Sequence, residues 1–284
     1  MSLTSAESQP RRPAAVAGYF YPDDPVTLAA MVDRLLDEAA QRALPQRPTP
    51  DAPPPKAMIV PHAGFIYSGA IAASAYVRLR GAAGIERVVL VGPAHRVAVR
   101  GLAHAGAAAF STPLGEVTVD TAALAQVPSV VASPRAHEQE HSLEVQLPFL
   151  QRVLPDARIV PMVFGHAAAE DVAEVLEALW GGPETLVLVS SDLSHYLTYT
   201  SARALDSQTA ARVTELDDEL EGERACGVTG IRALVALARR HHLRAELLDL
   251  RSSGDTAGDK ARVVGYAAFA FAPTTLEAHH ARRS

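Results

Sequence analysis

Lysine and cysteine are nearly missing from this chain. Of its 284 residues only Cys226 is a cysteine, and lysine occurs only at Lys56 and Lys260. A single thiol excludes an intrachain disulfide and fits a reducing compartment. The first fifteen residues carry no apolar stretch of the kind a secretory signal needs, so the cytoplasm is the expected location. No apolar run is long enough to span a bilayer, which removes the membrane as an expected partner. Basic residues are almost all arginine, are scattered, and are outnumbered, giving a net charge of −6. Without a basic block, nucleic acid is not an expected partner either. There is no G-x-G-x-x-G after a strand, no Walker A loop and no G-x-S-x-G elbow. Dinucleotide binding, P-loop phosphoryl transfer and α/β-hydrolase chemistry lose their usual signatures.

What is present is apolar: 48% of the chain is hydrophobic, enough for one large α/β domain or two small ones. Residues 1–12 read as a disordered tail, 13–272 as one domain and 273–284 as a second tail. Asp24 and Pro25 open a helix, followed by an apolar stripe through Leu28, Met31, Val32, Leu35, Leu36 and Ala39. The proline-rich stretch 44–55 reads as an extended linker. Strands are expected at 56–60, 87–92, 158–163, 185–190, 245–250 and 262–271. Helices are expected at 69–80, 139–153, 170–180, 203–220 and 228–242, with Pro148 kinking the second or delaying its start. Thr112-Pro113-Leu114-Gly115 reads as a hairpin turn.

Four of the expected strands end just before a histidine: His62, His95, His166 and His195. In open α/β sheets ligands bind outside the carboxyl ends of the strands. Imidazoles delivered there suit a metal site or an acid–base site. Pro61-His62-Ala63-Gly64 and Gly92-Pro93-Ala94-His95 repeat one design, a strand stopped by a tight turn that displays a histidine. His166 stays undecided. The polar run Ser190-Ser191-Asp192-Leu193-Ser194-His195 follows an apolar strand and is costly to bury unless paired. Asp192, three residues before His195, could orient that imidazole, or it could simply cap a helix. Cys226 precedes a helix, where a thiol is acidified, but a lone cysteine is more often a small buried apolar residue, and on the residue alone that reading is favoured.

His137-Glu138-Gln139-Glu140-His141 matches H-E-x-x-H, the zinc-protease pattern, with Glu138 as base. Against it, the pattern follows Ser133-Pro134-Arg135 so closely that His137 could precede the helix, and Glu140 would charge a buried position. A solvated helix start is the favoured reading of His137.

Together these residues resemble the MEMO-like family, known in bacteria and archaea as AmmeMemoRadiSam system protein B. The resemblance runs through 13–22 (P-A-A-V-A-G-Y-F-Y-P), 61–69 (P-H-A-G-F-I-Y-S-G), 92–95, 140–149 (E-H-S-L-E-V-Q-L-P-F), 190–195, Cys226-Gly227 and 253–266 (S-G-D-T-A-G-D-K-A-R-V-V-G-Y). It implies an α/β fold like the class III extradiol dioxygenases, with a central, mostly parallel or mixed sheet flanked by helices on both faces. It also implies a metal pocket at the strand ends formed by His62, His95 and Cys226, with Asp192 and His195 lining it. His141 matches the family's E-H-S element; His137 and His166 match nothing in it. A thiolate in place of the dioxygenase carboxylate shifts preference toward copper(I), zinc or a differently tuned iron. With the dioxygenase-like fold, iron or copper is expected ahead of zinc as cofactor.

Three functions are expected in this order. The first is metal-dependent redox chemistry on an unknown small-molecule or peptide ligand, with His195, Asp192 and His141 as acid–base residues. The second is a non-catalytic peptide- or protein-binding module using the same cleft, with a radical-SAM protein as candidate partner. The third is hydrolysis by zinc-bound water.

Overall fold

The computed structural model of the chain describes residues 10–43, 53–221 and 224–274. The parts of the expected linker and tails that fall at 1–9, 44–52 and 275–284 lie outside the described residues. The chain begins with β1 (Arg11–Arg12), α1 (Pro25–Ala43), β2 (Ala57–Val60), α2 (Ala70–Tyr76), β3 (Arg87–Pro93) and β4 (Leu102–His104). It continues with β5 (Ala109–Thr112), β6 (Gly115–Thr118), α3 (Thr121–Leu124), β7 (Val131–Ala132), α4 (Pro134–Glu138) and α5 (Leu147–Val153). The remaining elements are β8 (Arg158–Phe164), α6 (Ala169–Ala178), β9 (Thr185–Ser190), β10 (His195–Leu197), α7 (Tyr199–Thr214), α8 (Val228–Arg240), β11 (Leu243–Ser252) and β12 (Val263–Pro273).

Among the described residues, nine strands form one mixed sheet in the order β10-β12-β2-β9-β3-β8-β4-β7, with β11 also paired to β12. Its centre, β2-β9-β3-β8, is parallel throughout, while β12 and β4 run antiparallel at its two sides. β2 and β9 are buried at every residue. Such unbroken runs belong to strands covered on both faces. On the sheet, α2 packs with α1 and α5 and lies against β2, β11 and β12; α8 packs with α6 and lies against β3 and β9. A separate small sheet, β1-β5-β6, contains the hairpin expected at Thr112–Gly115, where Gly115 takes φ of 116°.

Most expected elements recur, with four informative shifts. Helix α1 starts as read, Asp24 accepting the Thr27 N–H at 2.8 Å, and buries Leu28, Val32, Leu35, Leu36 and Ala39. Arg11 and Arg12 are not tail: they pair with β5, and the Arg12 side chain is buried. The helix expected over 139–153 is a single α-helix only from Leu147, because Pro148 fits just its first turn. Residues 139–143 form a loop, followed by a 3₁₀ turn at Glu144–Gln146. Finally, α2 is shortened to Ala70–Tyr76, preceded by a π turn at Phe65–Gly69, and α7 starts four residues earlier than read, with Thr198 as its cap.

Candidate metal centre

The parallel register does the first part of the assembly. Val60 of β2 lies opposite Ser190 of β9, so both strands end level. Pro61 then stops the ladder and His62 turns inward, almost fully buried. Its N–H donates to Asp192 Oδ1 at 2.7 Å, and its Nδ1 lies 2.8 Å from Ser190 Oγ. Its other nitrogen, Nε2, lies 3.3 Å from Cys226 Sγ. Cys226 is held there by Gly227, whose Cα approaches Ser191 so closely that a Cβ would sit 2.6 Å from the Ser191 Cβ.

His95 follows β3 and is the solvent-facing member of the site. Its Nδ1 lies 2.9 Å from Glu140 Oε1, and its backbone N–H also donates to that carboxylate. A carboxylate only accepts, so Nδ1 carries a proton, and in the neutral ring Nε2 presents a lone pair. Glu140 further accepts the N–H groups of His141 and Ser142, each at 2.9 Å. Burial alone would raise its carboxyl, but the His95 ring hydrogen bond, the His95 charge and the backbone donors outweigh it and hold Glu140 well below the usual carboxylate range.

His141 completes the group. One ligand atom from each of His62, His95 and His141 can be chosen so that all lie within 4.8 Å of one another. The His141 ring stacks on His95 at 4.7 Å between centroids and is backed by Phe20 at 4.8 Å. Its Nδ1 is buried and makes no hydrogen bond among the described residues, although Glu140 Oε1 is 3.3 Å away. Burial lowers the His141 imidazole to about 4, against the pull of Glu140. Burial, reinforced by the neighbouring His95 and His141, drives His62 well below its usual value. Both rings are therefore neutral at pH 7, the form in which an imidazole binds a metal.

The loop carrying Glu140 and His141 is fastened from a distance. Arg12 Nε donates to His137 O at 3.0 Å, while its other guanidinium nitrogens reach Glu140 O and the Glu144 carboxylate. Glu144, fully buried, also accepts from Ala15 N at 2.8 Å, Val16 N at 3.0 Å and the Tyr21 hydroxyl. Neither Arg12 nor Glu144 was singled out from the sequence. A buried ion pair is invisible there, and only the apolar context of Glu144 in L-E-V-Q-L hinted at a partner. Glu140, read as an argument against the zinc-protease pattern, is the residue that orients His95.

Other expectations change. Asp192 does not hydrogen-bond His195 among the described residues; it holds the His62 turn, and burial raises its carboxyl to about 7. His195 sits at the start of β10, half-buried, and burial lowers its imidazole. Cys226 is not acidified by its position before α8: burial, then the Asp192 carboxylate, push its thiol up to about 12. His137 is not solvated but buried, its Nε2 3.0 Å from Ala103 O. Helix α4 ends at Glu138, so the H-E-x-x-H residues do not share a helix face and the zinc-hydrolase reading loses that support. His166 is exposed and outside the group.

The donor set fits a metal. Two imidazoles, one of unpartnered Nδ1 and one with Nε2 free, meet a third whose Nε2 faces a thiol. The 3.3 Å between His62 Nε2 and Cys226 Sγ is the span of two donors sharing one ion with bonds of about 2.0–2.1 and 2.3 Å. An α/β protein with histidines gathered beyond the carboxyl ends of parallel strands is the class these features define. More specifically, the chain belongs to the Memo-like protein family, whose model matches residues 12–270. It is 36% identical over 275 residues to a "MEMO1 family protein" of Archaeoglobus fulgidus, covering 90% of this chain and 97% of the relative. A protein of the same description from Sulfolobus acidocaldarius is 35% identical over 281 residues, covering 90% and 98%. One from Aquifex aeolicus is 34% identical over 277 residues, covering 92% and 98%. The fold is of the class III extradiol dioxygenase type.

Proposed function

We propose that this chain is a non-haem metal protein with redox activity, its iron or copper held by His62, His95 and Cys226. The observation that carries this reading is the convergence of His62, His95 and His141, one ligand atom from each within 4.8 Å of the others. Among the described residues Cys226 is not part of that group, and joins it only through His62, its Sγ 3.3 Å from His62 Nε2. The mixed imidazole–sulfur set suits iron or copper rather than magnesium or calcium. Such a metal supplies one-electron and oxygen chemistry when bound. The chain's own contribution is orientation and proton handling. Glu140 and Ser190 hold the Nδ1 sides of His95 and His62. His141 can accept a proton at its unpartnered Nδ1, and His195 and Asp192 are further proton carriers. His95 stands at the solvent side, where a small-molecule or peptide ligand would enter.

The test is metal content. Protein purified without added metal is expected to contain iron or copper at close to one ion per chain, lost in His62→Ala, His95→Ala and Cys226→Ala. Full metal content in Cys226→Ala together with loss in His141→Ala would replace the thiolate by the third imidazole. Full content in His62→Ala would end the proposal. Oxygen uptake by loaded protein with catechols and reductants then tests the redox step.

One observation favours the binding-module reading as second. Tyr19 and Ile66 are 88% and 62% exposed, close to Phe20, whose ring packs at a tilt against His141. A partner, with a radical-SAM protein as candidate, could dock there. No oxygen uptake, combined with partner binding abolished by Tyr19→Ser at unchanged metal content, would move the balance to it.

A further inference from the structure

We propose that Ser190 is a positioning residue that fixes the ring tautomer of His62, keeping Nε2 free of a proton and open to a metal. The argument is a count of donors and acceptors in a fully buried place. Ser190 Oγ has one proton to give and two lone pairs. Three groups surround it: Ser142 O at 2.6 Å, Gln146 Nε2 at 2.8 Å and His62 Nδ1 at 2.8 Å.

The Ser142 carbonyl can only accept, so it takes the hydroxyl proton. The orientation of the Gln146 amide is settled by two other neighbours. Its Nε2 also donates to Pro61 O at 3.0 Å, and its Oε1 accepts the Tyr76 hydroxyl at 2.7 Å. Turned over, it would set oxygen against oxygen at Pro61. Gln146 is therefore a donor to Ser190 and occupies one of its lone pairs. The only role left for His62 Nδ1 is to donate to the other. A neutral imidazole carries one ring proton, so Nε2 has none. It faces Cys226 Sγ at 3.3 Å. Ser190, Ser142, Gln146 and Tyr76 are all buried, so no bulk water competes for these bonds.

Ser190→Ala removes the acceptor. A buried Nδ1–H with no partner is costly, while Cys226 Sγ can accept from an Nε2–H. The proton is then expected to move to Nε2, the atom a metal needs bare. The value of this arrangement to metal binding rests on the metal-centre reading above; the tautomer itself does not.

The experiment uses the full-length, metal-free, ¹⁵N-labelled protein at neutral pH, with His62→Asn to assign the ring signals. Long-range ¹H–¹⁵N spectra should show His62 protonated at Nδ1 in the wild type and at Nε2 in Ser190→Ala. Zinc(II) affinity, read by competition with a chromophoric chelator, should fall about 10- to 100-fold in that variant. A wild-type ring protonated at Nε2 overturns the inference, whether or not Ser190→Ala folds. So does a folded Ser190→Ala that keeps its proton at Nδ1. A wild-type Nδ1–H in protein that binds no metal would uphold the tautomer and sink the metal-centre reading instead.

Discussion

His137 offers a measurement that reports on the tertiary structure without touching the metal centre. Its ring is 1% exposed, bonded to Ala103 O and set edge-on to Phe110. Burial, only partly offset by the Ala103 carbonyl, lowers its imidazole to about 4. In the unfolded chain it titrates near 6.5. Between those values the unfolded state binds the extra proton, so folding stability rises with pH and is lost as pH falls. The full difference is about 3 kcal/mol, of which about 2 kcal/mol falls between pH 7.5 and pH 5. His137→Gln keeps a donor for Ala103 O and cannot titrate. Urea unfolding of both proteins at the two pH values isolates the residue, since every other buried histidine is common to both. The variant should be the less stable protein at pH 7.5 and should lose about 2 kcal/mol less than the wild type on going to pH 5. Equal losses in the two proteins would mean that His137 is solvated and that the fastening of the 137–144 loop is misread.

Three further outcomes follow from the same geometry. Glu144→Ala strands the buried Arg12 charge and the Ala15 and Val16 N–H groups, and should cost about 3–5 kcal/mol in chemical unfolding; a loss below about 1 kcal/mol would show that the clamp is solvated. Gly227→Ala puts a Cβ 2.6 Å from Ser191 Cβ and 2.9 Å from Ser190 O, and should cost about 1–3 kcal/mol while weakening zinc(II) binding through displacement of Cys226; an unchanged melting curve and affinity would contradict that packing. Zinc(II) at a hundred times its Kd should stabilise the wild type by about 2.7 kcal/mol, an effect that chelator reverses and that His62→Ala and His95→Ala lack; equal stabilisation of all three would place the ion elsewhere.

The strands were legible because their signal is local. Val-Val-Leu-Val after Arg87 and Leu-Val-Leu-Val after Thr185 can only be covered on both faces, and each ends at a proline or a polar run. His62 and His95 stood out for the same reason, as turn residues just past such a run. The loop at 139–146 was misread as helix because its periodicity is apolar while its work is done by polar residues. Glu140 and Gln146 satisfy groups more than forty residues away, His95 and Ser190, and no window of sequence holds both partners.

The sequence by itself therefore determined the α/β class, the ends of the central strands and the residue types gathered beyond them, because burial patterns and chain-stopping turns act between neighbours. Only the tertiary structure decided which groups share a hydrogen bond: Arg12 with Glu144, Glu140 with His95, Asp192 with the His62 turn rather than with His195. Those pairings, and the pKa values that follow from them, depend on what a buried polar atom finds within 3 Å after the sheet has closed.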